Sequence, residues 1–190
     1  MAVGKVDKWK MKRWFTVTAP KVFNEVSAGE IPANSEASVV SRNITMDLFS
    51  LTNNPAHMYT NVHLKISGVK GEAVQTRLTM VEQLYSYIRS LARRHRTITE
   101  VVIPLESKDG VKMIAKPIIV ANGRITTTRT RALRLEAIKE MEAHFKKTNA
   151  SDIVNEVIDK RLQSEISAKL KRITPINKFE IKKLEIPDGI

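Results

Sequence analysis

Apolar and polar residues alternate along several stretches of the chain, and this period of two predicts β-strands. The predicted strands cover residues 12–19, 57–68, 73–78, 97–106, 111–121 and 177–186, with one or two more between 37 and 51. The glycines at 68 and 71 and the Lys108-Asp109-Gly110 turn predict two hairpins. In the last strand the apolar order shifts between Ile181 and Leu184, which predicts a β-bulge.

Three other stretches repeat apolar residues every three or four positions, which predicts helices. The first covers Thr79 to Arg96, where Thr79 and Glu82 have the spacing of a capping box. A second helix is predicted from Thr130 to near Asn149, and a third from Ser151 to the Thr174-Pro175 pair. Because strands come before helices, the predicted class is α+β, with a single domain over residues 14–190 behind a basic arm of residues 1–13.

The composition adds a strong positive charge. The chain has 190 residues, with 32 Lys and Arg against 20 Asp and Glu and a formal net charge of +12. Such an excess indicates a polyanionic partner or an anionic membrane surface. A membrane-surface role is disfavoured because the basic helix carries few bulky aromatic residues. The absence of cysteine excludes disulfides, and no signal sequence or membrane-length apolar run is found, so a cytoplasmic protein is expected.

The first candidate binding group lies on the predicted 79–96 helix. Arg89, Arg93 and Arg96 form a stripe roughly 110° from its apolar face at about 100° per residue, and Arg94 adjoins them. Like charges at this spacing repel one another, so a negatively charged partner would stabilise the helix. The alternative is a solvated face whose basic end suits the helix dipole.

A second group follows the 111–121 strand. Its candidates run through a loop into the start of the next helix and are Lys116, Arg124, Arg129, Arg131 and Arg134. Hydroxyls, backbone amides and arginines at a helix N-terminus suit phosphate oxygens. Arginine there opposes the helix dipole, which makes a ligand role more plausible than at a C-terminus. A solvated hinge is the alternative.

The N-terminal arm forms the third group. Its candidate RNA-binding residues are Lys8, Lys10, Lys12 and Arg13. Trp9 and Trp14 lie in or beside the arm, where an indole can stack on a base or anchor the core. For Trp14 the structural role is favoured.

The motifs of common enzymes are missing. The four histidines lack metal-ligand spacing, and no P-loop, GxGxxG or GxSxG occurs, so no cofactor and no catalysis are expected. The remaining enzyme hypothesis is a Mg²⁺-dependent nuclease using Glu106 with Lys108 or Glu180 with Lys182. Two matches in a chain rich in Lys and Glu show how unspecific that pattern is. A free nucleic-acid-binding regulator is the second alternative.

Several segments resemble one protein family. WFTVTAPKVFNEV at 14–26 is similar to the Trp-aromatic-x-Val-x-Ala-Pro-x-x-Phe opening of the small-subunit ribosomal proteins S3Ae, or eS1, of archaea and eukaryotes. RLTMVEQLYSYIRSLARRHR at 77–96 resembles that family's Arg-rich helix, and the Lys-Asp-Gly turn and closing segment follow in order. Arg89, Arg93 and Arg94 match the motif of that helix, whereas the loop ITTTRTRALR departs from the denser basic run of the family.

The resemblance implies an archaeal-type ribosomal protein that binds small-subunit rRNA and supports translation. It implies an antiparallel β-barrel of about six or seven strands, with one internal helix and two C-terminal helices. It also implies a place on the platform side near the 3′ region of the rRNA and the mRNA exit. The implied partners are rRNA, neighbouring ribosomal proteins, and mRNA and initiation factors at the exit side, with no membrane.

Overall fold

A computed structural model describes residue 9 and residues 12–190. Within these residues the chain forms nine strands and five α-helices, which confirms the α+β class. The strands are β1 Arg13–Thr18, β2 Ser27–Ala33, β3 Asn43–Asp47, β4 Thr60–Lys70, β5 Ala73–Gln83, β6 Ile98–Glu100, β7 Ile103–Glu106, β8 Lys112–Ala121 and β9 Ile176–Glu185. The helices are α1 Leu48–Thr52, α2 Tyr85–Leu91, α3 Thr127–Phe145, α4 Ala150–Ile158 and α5 Arg161–Leu170.

All nine strands belong to one sheet with the order β2-β1-β5-β9-β8-β6. β4 pairs with β5 and β3, and β7 pairs with β8. The long strand β5 divides one edge between two partners: residues 73–75 pair in parallel with β1, and residues 80–82 pair antiparallel with β9. The sheet therefore branches at β5, and no pairing among residues 12–190 closes it into the expected barrel.

The strand count exceeds the expected six or seven for two local reasons. The single strand predicted over 97–106 is two short strands, because Val101 N donates to Pro117 O (3.2 Å) between β6 and β7 instead of continuing one ladder. β2 occupies a stretch that its glycine and proline indicated as a connection. It lies at the end of the strand order, where both residues are tolerated. The two predicted hairpins are present as β4–β5 and β7–β8.

The bulge in the last strand is confirmed. Lys116 pairs with Lys183 and Pro117 pairs with Ile181, so Lys182 is the extra residue of β9. The extra residue shifts the alternation, and Ile181 and Leu184 are both buried.

The bounds predicted for the 79–96 helix are wrong at both ends. Residues 79–83 belong to β5, where the hydroxyl of Thr79 donates to His63 O (3.0 Å) instead of capping a helix. The helix α2 covers only Tyr85–Leu91, and His95 has φ = 65° in the turn that follows. Pairing with β4 and β9 outweighs the helical pattern of this segment.

Three C-terminal helices replace the expected two. Lys160 separates α4 from α5 in a left-handed conformation (φ = 60°), and the buried Gln163 donates from Nε2 to Val157 O (2.8 Å) across the break. The apolar face of α3 is formed by Leu133, Ala137, Met141 and Phe145, which are buried, and by Ile138, which is partly buried. It packs in one cluster with apolar residues of α4, α5 and the sheet. No helix within the described part of the chain is long and apolar enough to cross a membrane.

Candidate nucleic-acid interface

The helix α2 is held on the sheet by its buried face. Ile88 and Leu91 pack against Ile118 and Val120 of β8. This contact leaves Arg89 exposed, with its guanidinium carbon 5.9 Å from the ring centroid of Tyr85. The apolar contact thus fixes the helix while its basic side faces outward.

The arginines after α2 lie in a tight turn. Arg96 N donates to Arg93 O (3.2 Å), and the positive φ of His95 reverses the chain between them. Arg93 and Arg94 are exposed and Arg96 is half-buried. They therefore project from a turn and not from a continuous helical stripe, but they remain on the surface.

Thr97 joins this turn to the loop that precedes α3. Its backbone amide donates to Gly123 O (3.0 Å), and its carbonyl accepts from Ala121 N (2.9 Å). Its hydroxyl accepts a third hydrogen bond from Ile125 N (3.2 Å). These three bonds bring the first and second basic groups of the sequence together.

A third segment meets the same loop. Asn122 N donates to Pro175 O (2.9 Å), so the connection between α5 and β9 lies against the loop. Lys171 and Arg172, which directly follow α5, are exposed on this connection. Pattern reading assigned this stretch to a helix stripe and missed both residues, although a Lys-Arg pair just before a Thr-Pro break was a usable signal.

We call the set of surface cations carried by these joined segments the basic edge. Its residues are Arg93, Arg94, Arg96, Arg124, Arg129, Arg131, Lys171 and Arg172. None of these cations takes part in the ion pairs found between residues 12 and 190. The α3 helix begins within this surface, and the side chain of its N-cap residue Thr126 caps none of its first amides. Uncompensated cations beside a helix N-terminus favour an anion.

The predicted residues Arg134, Lys12 and Arg13 lie outside the basic edge. Arg134 is exposed on α3, one turn past Thr130. Lys12 lies over the Trp9 ring, 3.9 Å from its centroid, and Arg13 is exposed at the start of β1. Lys8 and Lys10 lie outside the described residues.

Trp14 is not a core anchor. Its side chain is 57% exposed on β1, opposite Pro32 of β2. The neighbouring Phe15, whose side chain points to the other face of the strand, is buried in its place. The structural role favoured for Trp14 was therefore wrong.

Lys116 has a different environment from the other candidates. Its Nζ lies 2.6 Å from Oε1 of Glu185, which is also 3.9 Å from Nζ of Lys183. Lys183 contacts Glu82 (3.3 Å), and Glu82 contacts Nε2 of His63 (2.7 Å). The charge of Lys116 is thus compensated within a row of polar contacts that crosses β8, β9, β5 and β4.

The same row lowers the pKa of Glu82. Burial alone would raise that pKa, but the hydrogen bond and charge of His63, together with Lys183, outweigh it. The carboxylate form of Glu82 is therefore favoured in the folded protein.

The glutamates of the nuclease hypothesis are poorly placed for a metal. Glu180 is 5% exposed, and its two oxygens accept from the Tyr87 hydroxyl (2.8 Å) and from Nε2 of Gln83 (3.1 Å). Glu106 is exposed at the end of β7 beside the hairpin turn. The described residues include no cluster of three potential metal-ligating side chains.

Comparison with known proteins gives a consistent result. The model of the Ribosomal S3Ae family matches residues 2–188. The small ribosomal subunit protein eS1 of Saccharolobus islandicus (strain L.S.2.15 / Lassen #1) is 31% identical over 187 residues, covering 97% of this chain and 90% of that protein. The eS1 proteins of Saccharolobus solfataricus and Sulfurisphaera tokodaii are 30% and 28% identical, with 97% and 95% of this chain covered and 90% and 93% of theirs.

Proposed function

Because the chain belongs to the Ribosomal S3Ae family, we propose that it is a structural constituent of the small ribosomal subunit and binds rRNA through the basic edge. The observation that carries this proposal is that hydrogen bonds join three separate segments bearing eight exposed or half-exposed cations, none of which is in an ion pair found between residues 12 and 190. A ribosomal structural role involves no catalysis, and small-subunit proteins of this archaeal type work in the cytoplasm, as the sequence predicts.

The basic edge neutralises phosphates of the rRNA backbone. Each neutralised phosphate releases condensed counterions, and this release supplies a favourable, salt-dependent free energy. Arginine suits the task because its planar guanidinium can form two parallel hydrogen bonds with a phosphate. If all eight cations of the basic edge engage, the slope of log K against log salt is about −6 to −7.

The position within the subunit follows the family resemblance. The segments at 14–26 and 77–96 support a place on the platform side, near the 3′ region of the rRNA and the mRNA exit. Neighbouring ribosomal proteins, and mRNA and initiation factors at the exit side, are the further partners proposed there. Residues 1–13 are proposed to act as a basic arm of the single domain, adding Lys8 and Lys10 to the rRNA contacts.

The test is sedimentation of a native extract on a density gradient in Mg²⁺, with this chain followed by mass spectrometry. The expected result is one copy per small subunit, retained in moderate salt. Crosslinks from rRNA to peptides with Arg93 or Arg124 would then locate the interface. A free species at the top of the gradient would overturn the ribosomal role and favour the free regulator.

A further inference from the structure

A second surface lies at the other end of α2. Tyr59 and Tyr87 stack with ring centroids 5.4 Å apart and an interplanar angle of 17°. Leu84 N donates to Tyr59 O (2.8 Å), which fixes the backbone of Tyr59 beside the start of α2. Tyr59 is 50% exposed and Tyr85, the first residue of α2, is 67% exposed. Tyr59 and Tyr85 therefore each present an aromatic ring to solvent near the start of α2.

The base of this surface is rigid. The Tyr87 hydroxyl donates to Oε1 of Glu180 (2.8 Å) and accepts from Nζ of Lys178 (2.8 Å). Burial and the neighbouring carboxylate raise the pKa of Tyr87, so its hydroxyl stays protonated and keeps donating. Tyr59 therefore stacks on a Tyr87 ring whose hydroxyl is held by two hydrogen bonds. This reduces the conformational entropy lost when a ligand stacks on Tyr59.

The charges around the rings are mostly positive. Nζ of Lys160 and Nζ of Lys178 lie 5.5 Å and 5.2 Å from the centroid of Tyr87, and Arg89 lies 5.9 Å from that of Tyr85. The two lysines share Glu180, at 4.0 Å and 3.9 Å, as a counterion. Three cations against one carboxylate leave this surface with a local excess of positive charge.

We propose that this surface, the aromatic platform of Tyr59, Tyr85, Arg89, Lys160 and Lys178, stacks bases of an unpaired rRNA segment. The proposal rests on the proposed rRNA-binding function and adds a base-contacting site to it. A base ring stacks on Tyr85 or on the open face of Tyr59, and the adjoining phosphate is neutralised by Arg89 or a lysine. The strand must be single, because paired bases keep their faces stacked within the helix.

Two features favour RNA over a protein partner. The platform combines exposed rings with a net positive charge, which matches a base and its phosphate. Arg89 is also exposed on α2, only four residues before Arg93 of the basic edge, so one nucleic-acid strand can contact both surfaces.

Fluorescence anisotropy with the full chain tests the platform directly. The probes are a labelled uridine 12-mer and a 12-mer of the same ribose-phosphate backbone without bases. Tyr85→Ala should weaken binding of the base-bearing probe about 5- to 150-fold and leave the abasic probe unchanged, since stacking requires the base. Tyr85→Phe keeps the ring and should bind like wild type. Val102→Ala, at a residue that is 63% exposed, is the matched control for loss of exposed apolar surface.

Ultraviolet crosslinking of native small subunits gives the second test. Nucleotide adducts on the peptides that carry Tyr59 or Tyr85 are expected. The platform is overturned as a base-stacking site if Tyr85→Ala weakens binding of both probes equally or of neither. A protein crosslinked at Tyr85 in the particle would also overturn it. In each of those cases cosedimentation with small subunits would still support the proposed function, which fails only if the chain sediments alone.

Discussion

Replacing Glu180 tests how α2 is fixed to the sheet. The carboxylate of Glu180 is almost completely buried and connects β9 to Tyr87 of α2 and Gln83 of β5. Glu180→Ala removes the acceptor for both part-buried donors and leaves an unfilled space beside them. Glu180→Gln keeps the shape and one acceptor oxygen but removes the charge.

The two variants should differ clearly in stability. Each hydrogen bond to a charged group contributes about 1.5–3 kcal/mol, and breaking a buried charged contact costs about 3–5 kcal/mol. The two lysine contacts add little, because they are long and both lysines are 40% exposed or more. We therefore expect Glu180→Ala to lower the free energy of unfolding by about 3–5 kcal/mol.

Glu180→Gln should cost only about 1 kcal/mol. Within residues 12–190, Oε1 of Gln83 is buried and has no hydrogen-bond partner. If the Gln83 amide rotates by half a turn, its Oε1 can accept from the new side-chain amide at position 180. Tyr87 still donates to the oxygen that position 180 retains. Both hydrogen bonds are then retained in neutral form, at about 1 kcal/mol each.

Urea unfolding, followed by tryptophan fluorescence and by circular dichroism, measures the difference. The two probes should give coincident transitions with unchanged slopes, so that the midpoint shift reports stability alone. Equal destabilisation by both variants would show that the charge, and not the pair of hydrogen bonds, holds the helix. A loss below about 1 kcal/mol for Glu180→Ala would show that the network contributes little.

Three further outcomes follow from the structure. Arg93→Ala should weaken binding to RNAs of different sequence alike and make the log–log salt slope shallower by about 0.7–0.9; a loss confined to one sequence would contradict a phosphate contact. Because the pKa of Tyr87 is raised on folding, its contribution to stability is complete below about pH 10 and is lost as the pH rises above it. Tyr87→Phe should therefore flatten the alkaline part of a stability–pH curve, and an unchanged curve would argue against the Glu180 bond. The pKa of Glu82 is lowered on folding, so its contribution is present above its ordinary value of 4.5 and is lost as the pH falls through the lower folded value. Glu82→Gln should remove this acid dependence of the free energy of unfolding, measured by urea titration between about pH 5 and 3. If the variant loses stability with acid as the wild type does, another group is responsible.

Strands were predictable from the sequence where one face of the sheet is buried. The alternation of Val62, Leu64 and Ile66 places these residues in the core of β4, and the same holds for Phe15 and Val17 in β1. Burial on one face is a local property, so a period of two records it directly.

The pattern failed where long-range contacts decide between two local structures. Residues 79–83 fit either a helix start or a strand, and their pairing with β4 and β9 decides for the strand. The apolar spacing continues without interruption from Ile158 to Leu162, so nothing local indicates that Lys160 adopts a positive φ between them. Local periodicity carries no information about either choice.

The basic edge was predictable in composition but not in assembly. Its arginines stand out as clusters in the sequence, and Arg93, Arg94 and Arg124 are exposed as the charge pattern indicates. Their convergence depends on the hydrogen bonds of Thr97 and on the contact between Asn122 and Pro175, which join segments far apart in the chain. The stacking of Tyr59 on Tyr87 was not predictable, because the two residues lie 28 positions apart and meet only when β4, β5 and α2 are in place.

The position of β9 has a consequence for synthesis on the ribosome. This strand is the last of the nine found within residues 12–190, yet it pairs with β5 on one side and β8 on the other. The two halves of the sheet cannot join until residues 176–185 have emerged from the exit tunnel. Since Pro175 is also needed to complete the basic edge, a nascent chain lacks the finished RNA-binding surface until residues 175–185 are free to pair.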